Sequence, residues 1–136
     1  MFENCSSLSN IYLSSNIWDI GNRTFEGCSS LESVNIPEGV RRIADSTFKN
    51  CSSLKNMNIP NGVESIGIEA FAGCSSLESV NIPERVTDIE SRAFENCTRL
   101  ENVSIAEGVI NIGSDAFWNC TSLKEINIPG SVKYIG

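Results

Sequence analysis

Large apolar residues return along this chain at a fixed interval of 23. Phenylalanine stands at Phe2, Phe25, Phe48, Phe71, Phe94 and Phe117, and cysteine at Cys5, Cys28, Cys51, Cys74, Cys97 and Cys120. Leucine follows at Leu8, Leu31, Leu54, Leu77, Leu100 and Leu123. Val40, Val63, Val86, Val109 and Val132 keep the same spacing, as do Ile20, Ile43, Ile66, Ile89, Ile112 and Ile135. The intervening positions are mostly Ser, Asn, Glu and Lys. Three independent registers, each matched six times, exclude coincidence and identify a repeat architecture.

Within one repeat the pattern predicts the elements. In Leu31-Glu32-Ser33-Val34-Asn35-Ile36, Val34 and Ile36 alternate with polar neighbours, the period-two sign of a strand with one buried face. Pro37, Pro60, Pro83 and Pro129 end that strand, because proline has no N–H to continue a ladder. Val40 to Ile43 reads as a second, short extended piece. Ala70-Phe71-Ala72-Gly73-Cys74 reads as a single helical or 3₁₀ turn that returns the chain. One such unit cannot bury its apolar face alone, whereas stacked units share a core. Residues 1–136 are therefore expected to form one domain of six coils, starting near Phe2, Phe25, Phe48, Phe71, Phe94 and Phe117, with parallel strands about 4.8 Å apart.

The repeat condenses to F-x-[NG]-C-[ST]-x-L-x-x-[VI]-x-I-P-x-x-V-x-x-I-x-x-x-[AT]. Ile59-Pro60-Asn61-Gly62-Val63, then Ile66-Gly67, then Ala70-Phe71-Ala72-Gly73-Cys74 resembles the BspA-like leucine-rich repeats along nearly the whole chain. Only the first coil departs clearly, with Ser14-Ser15-Asn16-Ile17-Trp18. The resemblance implies a right-handed leucine-rich-repeat superhelix with its parallel sheet on the concave side. It also implies a non-catalytic protein-binding module of a secreted or cell-surface bacterial protein, used in adhesion to host matrix proteins or to other microbes.

Charge and composition narrow the partners. The net charge is −7, and no basic cluster exists beyond Arg41-Arg42. Nucleic acid and anionic membrane both need concentrated positive charge and are poor partners. No apolar run reaches the roughly 18 residues of a membrane span, so no membrane insertion is expected. The opening Met1 to Asn10 has no signal-peptide pattern.

Chemistry is sparse. The chain has no histidine, so the commonest general base is missing and Ser-His or Cys-His pairs cannot form. There is no C-x-x-C pair for zinc, no phosphate loop, and no cofactor is expected. The six cysteines are expected to stack as a buried column of free thiols whose parallel Cβ vectors disfavour disulfides. Ser29-Ser30, Ser52-Ser53 and Ser75-Ser76 recur in register and read as turn residues. Glu32, Glu78 and Glu101 share a register with Lys55 and Lys124 and read as a solvated charge ladder. An enzyme is a distant third reading.

The candidate site is the outward row of the strand: Tyr12, Asn35, Asn58, Asn81, Ser104 and Asn127, flanked by Asn10, Ser33, Asn56, Ser79, Asn102 and Glu125. Two readings stand side by side. The asparagines bond along the ladder and hold adjacent coils together, or the row is a polar surface that receives a protein. Trp18 and Trp118 occupy registers expected to face solvent, as binding hot spots or as covers over an end coil. The chain begins inside a coil and stops after Ile135-Gly136 with no polar cap. That predicts either a piece of a longer surface protein carrying an added Met1, or a self-assembling solenoid whose open ends stack head to tail as a homo-oligomer.

Overall fold

A computed structural model describes residues 1–136 as a parallel β-solenoid without a helix. Residues 2–24, 25–47, 48–70, 71–93 and 94–116 make five full turns of 23 residues, and residues 117–136 part of a sixth. The phenylalanines form one column. Successive rings from Phe2 to Phe117 stack with centroids 5.2–5.6 Å apart and planes within 11° of parallel. Residues 23 apart thus lie over one another, and the Cys, Leu, Val and Ile columns join the Phe column in one continuous core.

Two sides of each coil carry strands. On one side lie β1 (Asn10–Ile11), β2 (Ser33–Val34), β4 (Asn56–Met57), β6 (Ser79–Ile82) and β8 (Asn102–Ile105). On the other lie β3 (Arg42–Ile43), β5 (Ser65–Ile66), β7 (Asp88–Ile89), β9 (Asn111–Ile112) and β10 (Tyr134–Ile135). All pairs are parallel and shifted by one repeat, as in Ser79↔Asn102 and Ile66↔Ile89. The continuity differs from expectation. The L-x-x-V-x-I side is broken into β1-β2 and β4-β6-β8, whereas the short far-side piece forms an uninterrupted five-stranded sheet. On that side one deeply buried isoleucine per coil (Ile43, Ile66, Ile89, Ile112) keeps the ladder in register.

Between the sheets, Pro-x-x-Val closes a tight turn: the carbonyls of Pro37, Pro60 and Pro83 accept the N–H of Val40, Val63 and Val86 at 3.0–3.1 Å.

The A-F-x-x-C segment, expected as a helical or 3₁₀ turn, is no continuous helix, and it keeps 3₁₀-type bonds at only every second residue. Its N–H groups alternate between two destinations. Ala70, Ala72 and Cys74 donate back three residues within the coil, to Gly67, Glu69 and Phe71. Glu69, Phe71 and Gly73 donate instead to Ser91, Ala93 and Glu95 of the next coil. A helix directs every N–H inward along itself, so a segment that sends every second one to a neighbour cannot be helical. The alternation needs left-handed residues. Glu69 has φ 54° and Gly73 φ 74°, and their registers repeat as Arg23, Ser46, Arg92, Asp115 and as Asn4, Gly27, Asn50, Asn96, Asn119. The second register admits only Asn or Gly, the residues that tolerate this conformation best. In the Ile-Gly corner, a Cβ on Gly113 would lie 2.5 Å from the Ser91 nitrogen, so the backbones can approach only without one.

Candidate functional site

Period-two alternation turns the predicted row outward. In β6, Ser79 and Asn81 are exposed while Val80 and Ile82 are buried. Tyr12, Asn58, Asn81, Ser104 and Asn127 are exposed, as are Asn10, Ser33, Asn56, Ser79, Asn102 and Glu125, and Asn35 is half-buried. One member per coil lines up along a single face.

The expected asparagine ladder does not form. Asn35 alone in its register bonds a neighbouring coil, and it bonds backbone: its Oδ1 accepts from Leu13 N–H at 2.7 Å and its Nδ2 donates to Leu13 C=O at 2.8 Å. Ser33 Oγ donates to Asn10 Oδ1 at 2.8 Å. The side chains of Asn58, Asn81, Ser104 and Asn127 make no hydrogen bond within the protein. Two things work against the ladder. Tyr12 and Ser104 interrupt the run of amides, and an exposed amide gains little by exchanging water for another amide.

The face is hollowed where its strand ladder is open. Residues 124–130 make no hydrogen bond to the fifth coil, although Ser131 Oγ donates to Val109 C=O at 2.7 Å and, on the far side, Lys133 N–H donates to Ile110 C=O at 2.8 Å. Beside this opening is a hollow of about 730 Å³ lined mostly by polar residues, among them Ser79, Asn81, Asn102, Ser104 and Asn127. Glu101, Ser122, Lys124 and Glu125 complete its polar lining. Glu101 and Lys124 read in sequence as a solvated ladder, and their position directly beside the row was the available signal. A second hollow of about 410 Å³ includes Tyr12, Ser33, Asn35 and Asn58, at the break between β2 and β4.

The tryptophans stand apart from this face. Trp18 is 76 % exposed in the first coil. Trp118 is 55 % exposed and borders an apolar hollow of about 390 Å³ with Phe117, Leu123, Ile126, Ile128 and Ile135.

The thiols offer little nucleophilic chemistry. All six cysteines are free, five are buried and Cys5 is exposed. Burial pushes Cys51 from 9.0 up to about 12 and Cys120 up to about 11. Cys74 lies well above the usual value for the same reason. Elsewhere, the Lys49 ammonium 2.6 Å from Glu69 holds that carboxyl below its ordinary value. No three Cys, Asp or Glu side chains converge as metal ligands. No helix is long and apolar enough to cross a membrane.

A family model described as BspA type leucine rich repeat region matches residues 1–55 and 41–136, in six copies. Among solved structures, a leucine-rich repeat protein from Bacteroides ovatus superposes with TM-score 0.93 and 38 % identity over 98 % of this chain and 34 % of that one. The leucine-rich repeat protein of T. pallidum gives TM-score 0.93 and 35 % identity over 98 % of this chain and 63 % of its own. A leucine-rich cell surface protein from Faecalibacterium prausnitzii gives TM-score 0.82 and 32 % identity over 94 % and 32 %. The chain therefore spans about a third of two of these relatives and 63 % of the other. No curated protein matches it.

Proposed function

The chain belongs to the BspA-type leucine-rich repeat family, and from that premise we propose that it is a non-catalytic protein-binding module of a bacterial surface protein, engaging its partner across the β1-β2 and β4-β6-β8 face. One observation carries this reading. Asn58, Asn81, Ser104 and Asn127 point outward around two hollows of this face with their hydrogen-bonding groups free. A surface whose polar groups are exposed and mutually unpaired can exchange water for a partner without breaking protein contacts. A surface location is supported by the Faecalibacterium relative, which is described as a cell surface protein. Host matrix proteins and the surfaces of other microbes are the partner classes of this reading.

The test compares the protein with an Asn81→Arg, Ser104→Arg variant of unchanged melting temperature. Proteins captured from host-matrix and microbial-surface extracts are lost with the variant if this face binds them. Equal capture by both would overturn the reading.

A further inference from the structure

The single amide of the row that has an occupant shows what the row can hold. Asn35 grips one residue of an extended backbone, taking the N–H of Leu13 at 2.7 Å and giving to its C=O at 2.8 Å. A carboxamide presents one acceptor and one donor in a plane, the same pair a neighbouring strand would present. Asn35 thus stands in for a strand partner just beyond the end of β1.

We propose that Asn58, Asn81 and Asn127, in the register of Asn35, hold the main chain of an extended, basic polypeptide segment in the same bidentate manner; this rests on the reading of the face as the binding surface.

Three observations support that occupant. The same amide recurs along the row at Asn58, Asn81 and, past Ser104, at Asn127, and the part of a polypeptide that recurs whatever its side chains is the main chain. Beside Asn127, β8 receives no backbone bond from residues 124–130, so main-chain donors and acceptors are open at the hollow to supplement the amides. The charge favours a cation: Glu101 and Glu125 outweigh Lys124 at the hollow, Glu78 is already paired with Arg99 at 3.1 Å, and the chain carries −7. A row of neutral amides supplies the contacts and the acidic surroundings select the sign.

The test titrates the isotope-labelled protein with an unstructured peptide of repeated Gly-Ser-Lys and follows the side-chain amide signals by NMR. The signals of Asn58, Asn81 and Asn127 move. Methylating every second backbone nitrogen of the peptide weakens binding by about tenfold, the equivalent of one lost hydrogen bond. A Gly-Ser-Glu peptide does not bind, and Asn81→Leu, with its melting temperature unchanged, binds more weakly. Equal binding of the methylated peptide, shifts confined to other residues, equal shifts with maltoheptaose, or no binding of the basic peptide would each overturn the proposal. If the basic peptide fails while Asn81→Arg, Ser104→Arg still loses captured proteins, the binding face stands and only its preference for an extended main chain falls.

Discussion

The carbonyl oxygen of Phe48 accepts the thiol of Cys74 from the next coil at 3.2 Å, while its own coil's Cys51 N–H donates to it at 3.1 Å. The same arrangement joins Cys51 to Phe25, Cys97 to Phe71 and Cys120 to Phe94. Both lone pairs of a buried carbonyl are thereby used. A valine in place of cysteine would fill similar space but leave that oxygen with one partner. The cysteine column is therefore a chain of weak hydrogen bonds running through the core as well as a stack of small apolar groups.

Stability falls at alkaline pH. A thiol in the unfolded chain ionises near 9.0, whereas burial holds the proton on Cys120 to about 11 and on Cys51 to about 12. Between those values the folded state binds more protons than the unfolded one. The contribution is fully present below pH 9 and is lost as pH rises through the folded values. Each such thiol adds a slope of up to about 1.4 kcal/mol per pH unit. Urea midpoints measured from pH 7 to 10.5 decline above 9, less steeply in Cys51→Ala; a flat profile refutes the assignment.

The asparagine row separates on substitution. Asn35→Ala leaves Leu13 N–H and C=O without their partner and costs about 1–3 kcal/mol. Asn81→Ala breaks no internal bond and stays within about 0.5 kcal/mol. Equilibrium urea unfolding of both variants reads the difference, and equal costs would show the row to be uniformly structural.

Phe71 is fully buried between Phe48 and Phe94, with ring centroids at 5.3 and 5.2 Å. Phe71→Ala leaves a cavity in the middle of the column and costs about 3–5 kcal/mol. Phe117 in the last coil is only half-buried and has a ring neighbour on one side. Phe117→Ala therefore costs less, and calorimetric melting of the two variants gives the order.

Gly73 has φ 74°, and an added Cβ would press into the Asn50 side chain. Gly73→Ala destabilises by about 1–3 kcal/mol. Around Gly130 a Cβ meets nothing within 4 Å, so Gly130→Ala changes stability by no more than about 0.5 kcal/mol. Chemical denaturation distinguishes them.

The columns of the core and the outward aspect of Asn58 and Asn81 were legible because both follow from periodicity: 23 residues per turn, and two per strand repeat. The A-F-x-x-C segment, read as a helical or 3₁₀ turn, keeps 3₁₀-type bonds at alternate residues only, because local pattern does not say that the other N–H groups find acceptors in the next coil. Its signature was nevertheless present, since the register of Asn4, Gly27, Asn50, Gly73, Asn96 and Asn119 holds only the two residues suited to positive φ. The hollow beside Lys124 carried no such mark, because it arises from a coil that diverges on one side while staying bonded on the other.

By itself the sequence determined which side chains pile up, because a repeat of constant length places equivalent residues one above the other and burial selects the apolar registers. Only the tertiary structure decided which polar groups were consumed by that stacking and which were left free. Hydrogen bonds are short-ranged and directional, so whether Asn35 meets Leu13 while Asn81 meets water depends on the separation of adjacent coils, a distance that no single repeat encodes.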